Sequence, residues 1–358
     1  MIKTTSGFRI FKQVPRLIFG SGSLQRVKEL IPNSGNSGFV IFIVDDVFKK
    51  DSSILGFLDK KNQETIWFPA SLKEPTTQQV DDIRDEILAN DRGLPKAIIG
   101  MGGGSTMDVA KAVSVMLTNE GSSSDYQGWD LLNNPGVYKI GVPTISGSGA
   151  EASRTAVLMG KERKFGINDD YSMFDAIVLD SSLIVGVPAE QRFFSGMDCY
   201  IHCVESLQGT MIHELSRGYA GKALELCENV FINQGSDDEL MTASYMGGVS
   251  IVNSEVGICH ALSYGLSLEL GYRHGFANCV VFKVLDEFYG PWVEKFKRMV
   301  SDHSIALPIN VCADLDDEAM QRMVNMTLRM ERPLTNALGK NWRETFSKDK
   351  ILELYQKM

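Results

Sequence analysis

The stretch KAIIGMGGGSTMDVAKAV, residues 96–113, joins an apolar run to a helical pattern through a glycine-rich turn. The turn contains three consecutive glycines, Gly102, Gly103 and Gly104. Ser105 is predicted to cap the following helix, with Asp108 as its capping-box partner. Because such a turn offers free N–H groups and the positive end of a helix dipole, it suits a pyrophosphate group. The usual G-x-G-x-x-G spacing is absent, and a tight turn that binds nothing is equally compatible with this stretch.

The sequence on either side of this stretch alternates strand patterns with helical patterns as far as residue 188. Short apolar runs rich in β-branched residues are predicted as strands at 39–46, 64–70, 96–104, 139–144 and 175–180. Apolar residues recur at helical spacing at 79–90 and 108–117. This alternation predicts a parallel sheet covered on both faces by helices.

Beyond residue 188 the strand patterns stop, and long helical segments such as 216–231 and 237–252 follow. A chain of 358 residues suggests two domains at about 150 residues each. The sequence therefore predicts an α/β, Rossmann-like dinucleotide-binding domain at residues 1–188 and an all-α domain at residues 189–358.

Composition and charge exclude several classes of function. Lys+Arg 36 against Asp+Glu 45 gives a net charge of −9, which is the wrong sign for binding a phosphate backbone. The longest apolar runs are strand-length, far below the ~20 residues of a membrane span, and residues 1–10 contain no apolar signal core. The six cysteines form no C-x-x-C pair. We therefore expect a cytoplasmic protein with free thiols, no membrane segment and no nucleic-acid partner.

Two further features follow predicted strands. The loop VPTISGSGAEAS, residues 142–153, is rich in small and hydroxyl side chains, which is also typical of a solvated loop. Asp45, at the end of the first strong strand, either accepts hydrogen bonds from a ribose or caps the next helix. In open α/β sheets, ligands bind at the carboxyl ends of the strands, where all three features lie.

The stretch SGMDCYIHCVES, residues 195–206, places polar groups inside an apolar helix pattern. Asp198 and His202 are four residues apart and therefore share one helix face. Burying an unpaired carboxylate costs several kcal/mol, so Asp198 needs a partner. His260 and His274 lie in similarly apolar surroundings. They are either satisfied core residues or, with the first two, the ligands of one divalent cation.

Six motifs, in this order along the chain, resemble those of the iron-containing, or group III metal-dependent, alcohol dehydrogenases. The motifs are PRLIFGSGSLQRV (15–27), GGGSTMDVAK (102–111), PTISGSGAEAS (143–153), GMDCYIHCVES (196–206), GICHAL (257–262) and RHGFAN (273–278). The resemblance implies the dehydroquinate synthase-like fold of that family, with the α/β domain followed by a metal-binding helical domain.

The resemblance also implies site residues. A divalent metal, Fe²⁺ or Zn²⁺, would be bound by Asp198, His202, His260 and His274. NAD(P), with NAD favoured by Asp45, would be bound by Gly102, Gly103, Gly104, Ser105, Asp108, Thr144, Ser148, Lys164 and Leu183. Tyr264 and Lys164 are the predicted catalytic residues. Tyr264 replaces a second histidine that many members carry, and Glu74 replaces an asparagine that some members use near the adenine.

The implied reaction is the oxidation of a primary alcohol to an aldehyde, with hydride transfer to NAD(P) or electrons to oxygen. The expected substrate is a sugar acid of lipopolysaccharide biosynthesis, whose carboxylate Arg154 or Arg273 could bind. A homodimer and a functional link to a PLP aminotransferase are also expected. The alternatives are a small-alcohol or polyol dehydrogenase, a dehydroquinate synthase-like lyase, and a non-catalytic metal- or nucleotide-binding protein.

Overall fold

The computed structural model describes residues 10–32, 38–58, 60–69, 74–90, 92–161 and 164–358. Its strands are β1 Leu17–Phe19, β2 Val40–Asp45, β3 Gln63–Phe68, β4 Ala97–Gly102, β5 Gly128–Trp129, β6 Lys139–Pro143, β7 Thr155–Met159, β8 Lys164–Asn168 and β9 Ala176–Leu179. Its α-helices are α1 Ser52–Leu58, α2 Thr77–Ala89, α3 Gly104–Met116, α4 Ala189–Gln208, α5 Glu214–Asn233, α6 Asp237–Asn253, α7 Ile258–Leu270, α8 His274–Phe282, α9 Asp286–Asp302, α10 Asp317–Arg329, α11 Glu331–Leu338, α12 Trp342–Thr345 and α13 Lys348–Gln356.

Six strands form one parallel sheet in the order β1-β9-β6-β4-β2-β3. All residues of the central strands β2, β4 and β6 are buried, as expected for a sheet covered on both faces. The predicted α/β fold is confirmed, although strand β3 is shorter than the predicted 64–70, of which Ala70 lies outside the described residues.

The register of the sheet brings the predicted ligand-binding features to one edge. Gly102, the last residue of β4, pairs with Pro143, the last residue of β6, while Val44 of β2 pairs with Met101. The backbone N–H of Thr144 donates to the carbonyl oxygen of Gly102 over 2.9 Å. Asp45, the glycine turn and the 142–153 loop therefore leave the sheet side by side.

The start of helix α3 differs from the prediction. Gly103 occupies the N-cap position and no side chain caps the helix, so Ser105 lies inside the first turn and the predicted capping box is wrong. Asp108 is instead drawn inward, where one carboxylate oxygen lies 2.9 Å from Lys111 Nζ and the other accepts from the backbone N–H of Val157. The cause is strand β7, which packs against α3 and was not predicted.

Strand β7 belongs to a second sheet, in the order β5-β8-β7, that the sequence analysis missed. Strands β7 and β8 form an antiparallel hairpin, and β5 pairs with β8 in parallel. The alternation of buried and half-buried residues in β7 shows that only one face of this strand is deeply buried. The hairpin places Lys164 at the start of β8, and β5 places Trp129, beside the cleft described below.

Residues 180–358, which the structure describes without a gap, contain helices and no strand. Pro188 occupies the N-cap position of α4, the first long helix after the sheet. No helix in the described ranges is long and apolar enough to cross a membrane. All six cysteines are buried free thiols, as predicted.

Candidate metal and nucleotide site

A single cleft of about 1790 Å³ runs between the carboxyl edge of the parallel sheet and the helical region. Residues from both parts of the chain line this cleft. They include two glycines of the glycine turn and all four predicted metal ligands. Cavities of this kind at the strand ends of α/β sheets are the usual place for ligands.

Three helices bring the four predicted metal ligands together. Asp198 and His202 lie one turn apart on α4, His260 is in the first turn of α7, and His274 is the first residue of α8. One carboxylate oxygen, Asp198 Oδ1, lies 3.7 Å from Nε2 of His202, 3.5 Å from Nε2 of His260 and 3.6 Å from Nε2 of His274. One potential ligand atom from each residue lies within 4.8 Å of all the others.

This geometry fits a divalent cation better than a set of hydrogen bonds. Separations of 3.5–3.7 Å are too long for good hydrogen bonds, but ligands about 2.1 Å from a tetrahedral ion stand about 3.4 Å apart. Nδ1 of His202 is buried and has no hydrogen-bond partner among the described residues. Asp198, His202 and His260 are buried, whereas His274 faces the cleft with 29% of its side chain exposed.

Glu205 is a buried residue of this site that the sequence analysis missed. Its carboxylate oxygens accept from the backbone N–H of Cys259 over 2.6 Å and lie 2.5 Å from Nδ1 of His260. A carboxylate on the outer nitrogen of a ligand histidine fixes its tautomer and ring orientation, leaving Nε2 for the cation. The signal was available, because Glu205 follows His202 by three residues in the same apolar helix.

Asn278 was also missed. Its side chain is fully buried, and its amide nitrogen donates to Asp198 Oδ1 over 2.6 Å and lies 3.1 Å from Nε2 of His260. Asn278 follows His274 by one helical turn, a spacing that could have identified it. Its amide oxygen is buried without a hydrogen-bond partner in the described part of the chain. The cluster therefore contains polar groups that its own contacts do not fully satisfy.

The charges of the cluster shift its pKa values in opposite directions. Burial acts to lower the pKa of His260, but the carboxylates of Glu205 and Asp198 outweigh it and raise that pKa to about 9. Burial lowers the pKa of His274 to about 4. Burial opposes ionisation of Asp198, yet the three imidazoles hold its pKa well below the usual range. With His260 protonated, the two carboxylates still leave the cluster one net negative charge, which favours a cation.

The nucleotide end of the cleft contains most of the predicted cofactor residues. The lining includes Asp45, Gly103, Gly104, Ser105, Asp108, Thr144, Ser148 and Leu183. Gly102 is not part of the lining, and a Cβ there would meet the Thr106 side chain at 2.5 Å, so this glycine serves close packing of strand and helix. Asp45 accepts from the backbone N–H of Val47, as a helix cap does, and still borders the cleft.

Lys164 and Tyr264, the predicted catalytic residues, lie together near His274. Nζ of Lys164, which is almost fully buried, lies 3.2 Å from Glu74 Oε1 and 5.4 Å from the centre of the Tyr264 ring. Glu74 accepts a hydrogen bond from the backbone of His274. The replacement of asparagine by Glu74 therefore alters the metal end of the cleft, not an adenine site. Burial raises the pKa of Tyr264 well above its usual value, which makes it a poor acid.

The two arginines proposed to bind a substrate carboxylate are placed differently. Arg154 is 8% exposed and pairs with Asp130 and, over 2.8 Å, with Asp170, so its charge is already balanced. Arg273 is exposed and affects the pKa of Asp45, which places it toward the nucleotide end of the cleft. The structure therefore does not support either arginine as the carboxylate site.

A parallel sheet with a glycine turn, facing helices that hold one aspartate and three histidines, is the architecture of two-domain metal-dependent dehydrogenases. The family description "Iron-containing alcohol dehydrogenase" matches residues 15–181, and "Fe-containing alcohol dehydrogenase family, C-terminal" matches residues 193–358. The two matches together span nearly the whole chain. The chain belongs to the iron-containing alcohol dehydrogenase family, as the sequence motifs predicted.

Two curated relatives are about one-third identical to this chain over the aligned segment. Sulfoacetaldehyde reductase of Bilophila wadsworthia is 32% identical over 222 residues, 59% of this chain and 57% of that protein. Long-chain-alcohol dehydrogenase 1 of Geobacillus thermodenitrificans is 32% identical over 194 residues, 51% of this chain and 49% of that protein. The match thus spans about half the length of these curated relatives.

The fold comparison extends over the whole chain. The structure of sulfoacetaldehyde reductase from Bifidobacterium kashiwanohense in complex with NAD⁺ superposes with a TM-score of 0.81 at 19% identity, covering 98% of each chain. At this level of identity the superposition shows a common fold.

Proposed function

We propose that the protein is a metal-dependent oxidoreductase that interconverts a primary alcohol and its aldehyde, with NAD favoured as hydride acceptor. The observation that carries the proposal is the convergence of Asp198, His202, His260 and His274 within one cleft that also contains the glycine turn. Family membership supports the same reaction class.

Each group of site residues would have its own role in this reaction. A divalent cation held by the four side chains supplies a Lewis acid that stabilises negative charge on an alcohol oxygen. Glu205 orients His260, while Asn278 donates to Asp198 and fixes the carboxylate. Gly103 and Gly104 let the backbone approach a nucleotide, and Asp45 disfavours a 2′-phosphate by charge repulsion. Lys164, paired with Glu74, places a buried ion pair beside the metal end.

For the substrate, we propose the C8 hydroxyl of 3-deoxy-manno-octulosonate (Kdo), because within its family the sequence most resembles the bacterial Kdo 8-oxidase. A polyhydroxylated acid requires polar and cationic side chains in the cleft, whereas a short aliphatic alcohol favours an apolar lining. The lining includes the charged side chains Lys12, Asp130, Arg154, Asp170, Glu255, Arg329, Glu331 and Arg332. The aldehyde product would suit a PLP-dependent aminotransferase, and we propose that the enzyme acts as a homodimer.

A second candidate is the reduction of a small anionic aldehyde. The observation that favours it is the 32% identity to a protein named sulfoacetaldehyde reductase. The two candidates share the reaction class and an anionic group on the substrate. They differ in the size of the substrate and in the physiological direction.

Product analysis tests these proposals. Metal-loaded protein is incubated with Kdo and NAD, with Kdo under air without NAD, and with sulfoacetaldehyde and NADH; products are identified by mass spectrometry. We expect a C8 aldehyde and matching NADH formation in the first reaction. Oxygen uptake without NAD would make the protein an oxidase, and a higher kcat/KM for ethanol or propanediol than for Kdo would refute the sugar-acid assignment. His260→Ala, expected to lose both metal and activity, is the control for adventitious turnover.

A further inference from the structure

The loop between α6 and α7 contains a strained residue, Glu255, whose φ is +143°. A non-glycine residue is strained in this region, so the surrounding structure must hold it there. Asn336 of α11, which is fully buried, donates from its amide nitrogen to the carbonyl oxygens of Glu255 over 3.0 Å and Val256 over 3.1 Å. The same side chain accepts from the backbone N–H of Met211. Strain that is held this firmly is typical of functional positions.

The strained backbone holds the Glu255 side chain at the wall of the cleft, five residues before His260. Its Oε2 lies 3.2 Å from Nε of Arg332, the second residue of α11. The Glu255 side chain is only 14% exposed, whereas that of Arg332 is 51% exposed. The buried carboxylate thus anchors one edge of a guanidinium that remains open to the cleft.

A second contact fixes the plane of the same guanidinium. Its central carbon lies 4.0 Å from the ring centre of Trp129, which belongs to strand β5 of the second sheet. Stacking on tryptophan and pairing through Nε restrict both the position and the tilt of the arginine. Nη1 and Nη2 have no hydrogen-bond partner among the described residues. A guanidinium held at one edge and one face, with its terminal nitrogens available, is suited to bidentate binding of an anion.

Three other cations that line the cleft are already paired with carboxylates. Lys12 contacts Asp170, Arg154 contacts both Asp130 and Asp170, and Lys164 is paired with Glu74. Arg332 differs because its one carboxylate partner, Glu255, contacts Nε and leaves Nη1 and Nη2 available for a ligand.

We propose that Arg332 is the residue that determines specificity for an anionic substrate, by binding a carboxylate or sulfonate group remote from the reacting carbon. The inference rests on the proposed function and names the residue that recognises the acid group. Glu255 and Trp129 position Arg332, and Asn336 holds Glu255. The carboxylate of Kdo and the sulfonate of sulfoacetaldehyde share the chemistry that this site would recognise.

The test compares wild-type protein with Arg332→Ala, Arg332→Lys and the control Arg298→Ala, which removes the same charge from an exposed position of α9 that does not line the cleft. Binding of Kdo to the metal-loaded protein without nucleotide is measured by calorimetry. Values of kcat and KM are measured for Kdo and its methyl ester with NAD, and for sulfoacetaldehyde and propionaldehyde with NADH. Circular dichroism and the Tm of each variant confirm folding.

A charge-assisted bidentate contact is worth about 1.5–3 kcal/mol, or roughly 10- to 100-fold. We therefore expect Arg332→Ala to raise the Kd and KM for the acid substrate by that factor, with kcat and the kcat/KM of the uncharged analogue changed less than about threefold. Arg332→Lys should recover only part of the loss, and Arg298→Ala should behave as wild type.

The possible results separate the two proposals. Wild-type protein that binds Kdo without oxidising it, or that acts on sulfoacetaldehyde alone, refutes the Kdo assignment while the Arg332 comparison still stands. Equal losses on charged and uncharged substrates, no loss at all, or the same loss in Arg298→Ala would overturn the role of Arg332. Failure of the wild type to bind or convert either anionic substrate would overturn both.

Discussion

The substitution Glu205→Gln tests whether the buried carboxylate behind His260 contributes to metal binding. The change keeps the size and shape of the side chain but removes its charge, and the amide can still accept from the N–H of Cys259. It weakens the 2.5 Å contact with Nδ1 of His260 that orients the imidazole. We expect the apparent affinity for a divalent cation to fall, with little change in the fold.

The magnitude follows from the pKa of His260, which the carboxylates of Glu205 and Asp198 raise from 6.5 to about 9 despite burial. If the two carboxylates share this increase equally, Glu205 is worth roughly 2 kcal/mol to a positive charge on the imidazole, at 1.36 kcal/mol per pH unit. This corresponds to about 20-fold in affinity. Loss of a hydrogen-bonding partner behind a metal ligand typically costs 10–100-fold, which brackets that value.

The assay is competition for Zn²⁺ between metal-stripped protein and a chromogenic chelator at one pH above 9, where no proton on His260 competes with the metal. The control is Glu151→Gln, which makes the same chemical change at a buried glutamate that hydrogen-bonds Ser244 instead of a ligand histidine. We expect a loss of about 20-fold for Glu205→Gln and less than about twofold for Glu151→Gln. Equal affinities for wild type and Glu205→Gln would refute the argument that Glu205 supports the site.

Three further predictions follow from the site. Asp45→Ser keeps a side chain able to cap the next helix but removes the charge, so the preference for NAD over NADP should narrow; equal affinities in the wild type would contradict the role of Asp45. Because burial raises the pKa of Tyr264 well above its usual value, Tyr264→Phe should lower kcat less than about threefold and leave its pH profile unchanged; a lost pH limb would instead assign the tyrosine to proton transfer. Because His260 holds a proton up to a pKa of about 9, metal affinity measured from pH 6 to 10 should rise about tenfold per pH unit to that value and then level off; a flat profile would show that metal binding releases no proton from His260.

Strand β1, which has three residues, was missed. The other five strands of the parallel sheet could be predicted because they are rich in apolar residues and alternate with helices, a pattern that depends only on neighbours along the chain. The second sheet could not, because β5 has two residues and pairs with β8, which follows it by more than thirty residues. Such short strands depend on tertiary contacts that no local pattern encodes. The same limitation explains the wrong prediction for the cap of α3, because Asp108 accepts a hydrogen bond from the unpredicted strand β7 instead of capping the helix N-terminus.

The site residues that share one helix could be predicted from their spacing, whereas contacts between residues of different helices could not. The i, i+4 spacing identified Asp198 and His202, and the apolar surroundings of His260 and His274 made them candidate ligands of the same cation. A role as satisfied core residues stayed open until the resemblance to known dehydrogenases favoured the metal site. Glu205 lay within the stretch already singled out. It was passed over because spacing shows which side chains share a face, not which groups on α4 and α7 come within 2.5 Å.

The charge balance of the cluster links these findings. Two buried carboxylates, Asp198 and Glu205, act on His260, and in the metal-free protein a proton on that imidazole offsets part of their charge. Because the pKa of His260 is higher in the fold than the ordinary 6.5, this proton stabilises the metal-free fold below pH 6.5. That stability is lost as the pH rises through about 9. A bound dication would replace the proton on His260 Nε2 and would leave the hydrogen bond between Nδ1 and Glu205 in place. The Glu205 carboxylate therefore stabilises the protonated, metal-free cluster at low pH and supports metal binding at high pH.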